Sequence, residues 1–271
     1  MNTFNQFGQP VGEALIDWQP RQHPSRVVLQ GRYCWLEPLQ VEHAGALFAA
    51  YSLAGDTRSW TWLLREPDAT AGEFAAWVAS VSELSDPIHF TVFDNQTRSP
   101  VGTLALMRID PKNGVVEVGH VHFSPLLSRT PMSTEAQFLL MQYVFDTLGY
   151  RRYEWKCNSL NEPSRKAALR LGFLFEGRFR QALVTKGHNR DTDWFSIIDK
   201  EWPALASAFE SWLATDNFTA DGKQKRSLES WRETGGRKIC RCAGQLCLTR
   251  AVAYGQGCWA GQGSAHATAD L

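Results

Sequence analysis

The spacing of apolar residues changes along the chain, and each change marks an element. "VVLQGRYCWLEPL" (27–39) reads as a strand. "QVEHAGALFAAYSL" (40–53) shifts to helical spacing through Ala44, Leu47, Phe48 and Tyr51. "TAGEFAAWVASVSEL" (70–84) is a second helix with Phe74, Trp77, Val78 and Val81 on one side. Thr70 and Glu73 form a capping box at its start. Residues 88–124 read as three consecutive strands joined by the turns "DNQTRSP" and "DPKNG", an antiparallel meander. A strong amphipathic helix follows over 133–149 and stops at Gly149. Then come a strand (150–158), a helix (162–172), a hairpin (173–199) turning near Gly187, His188 and Asn189, and a last helix (203–214).

This order, β-α-α-β-β-β-α-β-α-β-β, predicts an α/β fold: a mixed, mostly antiparallel sheet flanked by helices. Only the βαβ unit between Ser133 and Cys157 demands a parallel strand pair. Four regions result. Residues 1–28 are an extended, Pro-rich arm, with Phe7, Ile16 and Trp18 able to lie against the domain. Residues 29–215 form the domain, 216–232 a C-terminal extension, and 233–271 a tail without periodicity.

Composition narrows the picture. Lys and Arg number 28, as do Asp and Glu, so no basic face for nucleic acid is expected. No apolar run is long enough for a membrane span, and the N-terminus lacks the pattern of a signal peptide. A cytoplasmic protein is expected, with Cys34 and Cys157 as reduced thiols. The tail cysteines 240, 242, 247 and 258 follow a C-x-C-x4-C-x10-C spacing that suits zinc poorly. No metal is therefore expected.

Three places can carry chemistry. The strand-to-helix turn "SPLLSRTPMSTEA" presents helix N-terminal amides, an anion site in principle, to which Arg129, Ser133 and Thr134 can contribute. On local sequence alone an ordinary capped helix is the favoured reading. In "CNSLNEPSRKAALRLGF", Asn158, Asn161 and Ser164 flank the next helix; Asn161 is placed as its N-cap and Arg165 lies behind. Two polar turns on one sheet edge suggest a ligand cleft. Finally, Glu117 interrupts the apolar strand "VVEVGHVHF", where a carboxylate should be paired or functional. Alternation puts Glu117 with Gly119, Val121 and Phe123, and puts His120 and His122 on the opposite face.

The motifs "STEA", "N-x-x-S-x-x-A-x-x-x-LGF-x-x-EG-x-x-R" and "KG-x-x-RDT-x-W-F-S" resemble the GNAT N-acetyltransferases, in the branch similar to ribosomal-protein alanine acetyltransferases. The resemblance covers about Gly31 to Leu213. It implies acetyl-CoA as co-substrate, with its pyrophosphate in the turn Ser128–Ser133, so that Ser128, Arg129, Thr130, Met132, Ser133 and Thr134 join Asn158, Asn161, Ser164 and Arg165 as cofactor-binding candidates. The loop reads S-R-T-P-M-S, with Pro131 and Ser133 where the family usually has small glycines. Glu117 stands where some members carry a general base, and Ser164 is the candidate donor to the leaving thiolate. The partners implied are acetyl-CoA and an amine acceptor, a protein N-terminus or a small amine; a homodimer is compatible with this. The acceptor side draws on Trp60, Trp62, Arg180, Lys186 and Arg190. A non-catalytic CoA-binding regulatory module is the alternative.

Overall fold

The computed structural model describes residues 3–234, together with the backbone of 241–242 and 245–246. Eight strands form one sheet: β1 (Leu29–Gln30), β2 (Cys34–Pro38), β3 (Ile88–Asp94), β4 (Pro100–Asp110), β5 (Val115–Phe123), β6 (Arg152–Asn158), β7 (Leu174–Thr185) and β8 (His188–Ile198). Their spatial order is β1-β2-β3-β4-β5-β6-β8-β7. Every pair is antiparallel except β5–β6, the parallel pair that the βαβ unit requires. The helices are α1 (Ala44–Ser52), α2 (Ala71–Val81), α3 (Pro131–Gln142), α4 (Glu162–Leu171), α5 (Trp202–Leu213) and α6 (Leu228–Thr234).

The sheet's alternation assigns its two faces. Phe90 and Val92 enter the larger core with Leu140, Phe195 and Phe209 on the side of α3, α4 and α5. His89 and Thr91 face α1 and α2, where His89 meets Trp77 and Thr91 meets His43. A smaller apolar cluster of Leu39, Leu47, Tyr51, Phe74 and Val78 seals that side. Leu228 is 1% exposed, so the 216–232 segment packs onto the same core.

The capping box at Thr70 and Glu73 forms as expected, and Gly172 ends α4 at φ 104°. Three elements depart from expectation. The first strand breaks into β1 and β2 because the buried Glu135 carboxylate collects the amides of Arg32 (2.8 Å), Tyr33 (2.6 Å) and Cys34 (2.8 Å), curling the chain between them. Gly31 is required there: a Cβ would stand 2.6 Å from Glu135 Cδ. The last hairpin turns at Lys186–Gly187, both at positive φ, which pairs Thr185 with His188. In the arm, Trp18 alone of the three aromatic or aliphatic candidates packs, donating its indole proton to Lys112 O at 3.0 Å between Arg21 and Arg151. Phe7 and Ile16 are exposed. The tail cysteines 240, 247 and 258 lie outside the described residues.

Candidate functional site

The parallel pairing of β5 with β6 runs from Val115–Arg152 to Val118–Trp155 and stops. Beyond it the strands diverge, β6 staying with β8 and β5 with β4. Crevices at such points in α/β sheets hold ligands. Two cavities open here, and Trp155 lines both.

The first, of about 620 Å³, lies between the N-terminus of α3 and the body of α4. Ser128, Arg129, Thr130, Ser133 and Thr134 line it, as do Gln137 and Arg170. The hydroxyls expected to reach a ligand turn inward instead. Thr130 Oγ1 donates to Leu127 O and Ser133 Oγ to Thr130 O, both at 2.7 Å, and Thr134 Oγ1 accepts from Arg170 at 2.9 Å. The Ser133 amide, expected to be open, donates to Thr130 O. The amides of Arg129 and Met132 make no hydrogen bond to the described residues, whereas that of Thr134 belongs to the first turn of α3. Arg129 adopts φ 63°, a region that glycine usually fills, and so shapes this loop without one. Met132 does not line the cavity; it packs against the core. Gln137, which the sequence reading passes over, is 1% exposed, and both atoms of its amide are buried without partners. Buried polar groups are normally paired, so this amide points to a ligand.

The second cavity, of about 360 Å³, lies between β5, β6, β8, β7 and the 60–64 loop. Glu117, Asn158, Asn161 and Ser164 all line it. Asn161 caps α4, accepting from the Ser164 amide at 3.1 Å, and Asn158 accepts from the Leu160 amide at 3.0 Å. Ser164 Oγ accepts the Trp155 indole proton at 3.0 Å. Cys157 sits beside it, its thiol pushed up to about 11 by burial. Arg165 turns away from both cavities: its Nε lies 2.8 Å from Asp193 Oδ2, in ion-pair contact without hydrogen-bond alignment. Arg178 closes on the same fully buried Asp193, tying α4 to the last hairpin.

Glu117 is 3% exposed, and its Oε2 is held by Arg108 (2.6 Å) and Lys156 (2.8 Å). Lys156 also reaches Glu154 at 2.8 Å and lies over the Trp194 ring. The carboxylate is thus paired, as a buried charge must be. The strand bearing it carries a bulge: Gly119 pairs with Ala105 but His122 with Thr103, so two residues stand against one. The bulge overturns the simple alternation that set His120 and His122 on one face opposite Glu117. His120, at φ 49°, lines the second cavity with Glu117. His122 leaves it to stack on Tyr51 with ring centroids 3.9 Å apart. Burial pushes the His120 imidazole below its ordinary value, with the Glu117 charge opposing.

Of the acceptor-side candidates, Trp62 and Arg190 line this cavity. Trp60 packs on His122, Lys186 donates to Trp60 O at 2.8 Å, and Arg180 lies away beside Gln181, Asn189 and Asp191. Among the described residues no group of three His, Cys, Asp or Glu could hold a metal ion, and no helix is long and apolar enough to cross a membrane.

A mixed sheet thus splays after one parallel pair, with a loop-to-helix turn bordering one cavity and a charged cavity on the other side of Trp155. A profile of the acetyltransferase (GNAT) domain matches residues 34–174, and the chain belongs to the GNAT family. A GCN5-related N-acetyltransferase of Brucella melitensis is 52% identical in sequence, with a TM-score of 0.79 over 80% of this chain and 99% of that one. An N-acetyltransferase of Bacillus licheniformis named p20 is 31% identical over 42% of this chain. The ribosomal-protein-serine acetyltransferase of Escherichia coli is 29% identical over 37%. The chain spans 63% and 56% of the lengths of these two relatives.

Proposed function

We propose that the protein transfers an acetyl group from acetyl-CoA to a primary amine, a protein N-terminus or a small amine, by direct attack. The observation that carries this reading is the pair of cavities meeting at Trp155. One holds the N-terminus of α3 and an orphaned amide side chain; the other holds a carboxylate, an imidazole and a hydroxyl. Names of relatives such as the ribosomal-protein-serine acetyltransferase support a protein acceptor as one candidate.

The residues of the larger cavity fit CoA. The amide of Arg129, the positive end of α3 and the Arg129 and Arg170 guanidiniums suit its phosphates. Gln137, with a donor and an acceptor both unpaired, suits an amide of the pantetheine arm. Acetyl-CoA supplies a thioester, whose carbonyl carbon gains the C–N bond as the C–S bond breaks. The amine arrives mostly as ammonium and must first lose a proton. Glu117 draws the ammonium in by charge, but its Oε2 is committed to Arg108 and Lys156. His120 makes no hydrogen bond to the described residues and, with its lowered affinity for protons, is neutral at pH 7. It is the proton acceptor in this reading, and Glu117, expected from the sequence as the base, becomes the anchor. Ser164 Oγ accepts from Trp155 and keeps its own proton for the departing sulfur.

His120→Gln should lower kcat by about 10²- to 10⁴-fold and abolish the acid limb of the rate profile, with CoA affinity retained. Glu117→Gln should chiefly raise KM for the amine. If instead Glu117→Gln abolishes the acid limb and His120→Gln leaves it, Glu117 is the base. No release of free thiol with any of the amines tested, together with no change in melting temperature on adding CoA, would remove the transferase reading.

Gln137→Leu checks the cofactor side separately. Leucine removes two orphaned buried atoms, so the free protein should become more stable while CoA binds about five- to tenfold more weakly. Unchanged affinity by calorimetry would take Gln137 out of the CoA site.

A further inference from the structure

We propose that the acceptor carries a carboxylate near its amine and that Arg190, with Thr192, receives that carboxylate. The inference rests on the acetyltransferase reading and deepens it.

Arg190 lies on β8, 9% exposed, and lines the smaller cavity. Its Nε is buried without a hydrogen-bond partner. So is Oγ1 of Thr192, two residues along the same strand, 5% exposed and in the same cavity wall. Among the described residues no carboxylate stands within ion-pair distance of Arg190. Three other arginines of the sheet are matched: Arg178 to Asp193, Arg108 to Glu117 and Arg152 to Glu154. A buried guanidinium without a counter-charge is costly, and its burial already works against its charge. A ligand anion would offset that cost.

The cavity's charge says the same. Arg108, Lys156 and Arg190 line it against the single carboxylate of Glu117, which Arg108 and Lys156 already hold. A polyamine or an aminoglycoside would meet three cations. A compound with one amine and one carboxylate would place its ammonium toward Glu117 and its carboxylate on Arg190. The planar carboxylate matches the guanidinium fork, and the Thr192 hydroxyl adds a donor. Trp62, Phe179, Leu183 and Trp194 complete the wall with apolar surface. A volume of about 360 Å³ suits an amino acid with an apolar side chain better than a large polyol.

The test uses full-length protein saturated with CoA for binding, and with acetyl-CoA for turnover. The probes are apolar amino acids, their carboxamides, the matching decarboxylated amines, and short peptides with Glu or Gln at the second position. Carboxylate-bearing probes should show Kd and KM at least tenfold below their neutral partners, the scale of a buried hydrogen bond to a charged group. The peptide pair separates an acidic side chain from a free amino acid as the source. Arg190→Gln should erase the preference, bringing acids and their neutral partners to the same Kd and KM, and Thr192→Val should narrow it. Arg190→Lys, which keeps the charge but not the fork, should fall between and serves if the glutamine variant does not fold. Equal use of acids and amides, or a preference surviving in Arg190→Gln, overturns the inference and leaves the acetyltransferase reading intact. Acids that bind through Arg190 while other amines, but not they, are acetylated would also overturn the inference; acids that bind there while no amine of any kind is acetylated would instead remove the acetyltransferase reading. Absence of any binding overturns the inference as well.

Discussion

Glu135→Gln should lower the stability of the protein by about 2–4 kcal/mol, seen as a melting point reduced by roughly 5–15 °C. Glu135 is 4% exposed on α3, and its two oxygens accept three backbone amides from residues 32–34. Oε2 takes Tyr33 and Cys34, and Oε1 takes Arg32. Glutamine can keep one oxygen in place, but its NH₂ group then faces an amide donor. One buried donor loses its acceptor and the others lose the stronger bond to a charge. Glu135→Ala would orphan all three and open a void. The loss should appear in denaturant melts without a change in CoA affinity proportional to it, because none of these contacts faces the larger cavity. A Glu135→Gln protein melting within about 2 °C of the parent would show that water satisfies the turn instead.

Lowering the pH from 6.5 to 5 should cost the fold about 2 kcal/mol for each of His89 and His122. Burial pushes His89 down to about 3 and His122 down to about 4. In the unfolded chain both take a proton near pH 6.5. Between that value and their folded values the unfolded state binds more protons, so stability falls as the pH falls, by about 1.4 kcal/mol per unit per group. His43 and His120, also lowered by burial, act in the same direction. Above pH 5 most carboxylates are ionised in both states, which leaves the histidines to dominate the slope. His122→Phe keeps the ring against Tyr51 and Trp60 and removes the titration. It should reduce the slope of denaturant midpoint against pH by close to half of the pair's share. Midpoints that stay level from pH 6.5 to 5 would show that these rings find a proton-accepting partner in the fold.

The architecture was legible because its elements differ in period. The meander's alternation, the capping box at Thr70 and Glu73 and the glycine stop at Gly172 each state their local geometry in a few residues. The parallel pair followed from the length of one crossover. The site was legible only where it coincides with such local signals: Asn161 reads as a cap and is one, and Ser164 follows from it. Glu117 stood out as a charge on an apolar strand, but its partners Arg108 and Lys156 come from two other strands and leave no trace in its neighbourhood. The bulge at His120 and Val121 is set by pairing with Thr103 and Ala105, so alternation read from one strand misplaced His120. Gln137 looked like an ordinary polar residue of an amphipathic helix; only its burial without partners marks it. Glu135, carried in the "STEA" motif, reads as part of a binding signature, whereas its contacts are all to the turn between β1 and β2. Arg165 follows Ser164 in the chain yet serves the hairpin, because one step along α4 rotates it to Asp193.

Trp155 forms a wall of both cavities and donates its indole proton to Ser164 at 3.0 Å. A shared wall makes the two occupancies thermodynamically conjugate. Whatever factor a filled larger cavity contributes to affinity in the smaller one, a filled smaller cavity returns to the larger by the same factor. Order of addition in the catalytic cycle is then a kinetic matter of which mouth clears first. Trp155→Phe, which keeps an aromatic wall but drops the indole proton given to Ser164, would change that shared factor on both sides alike.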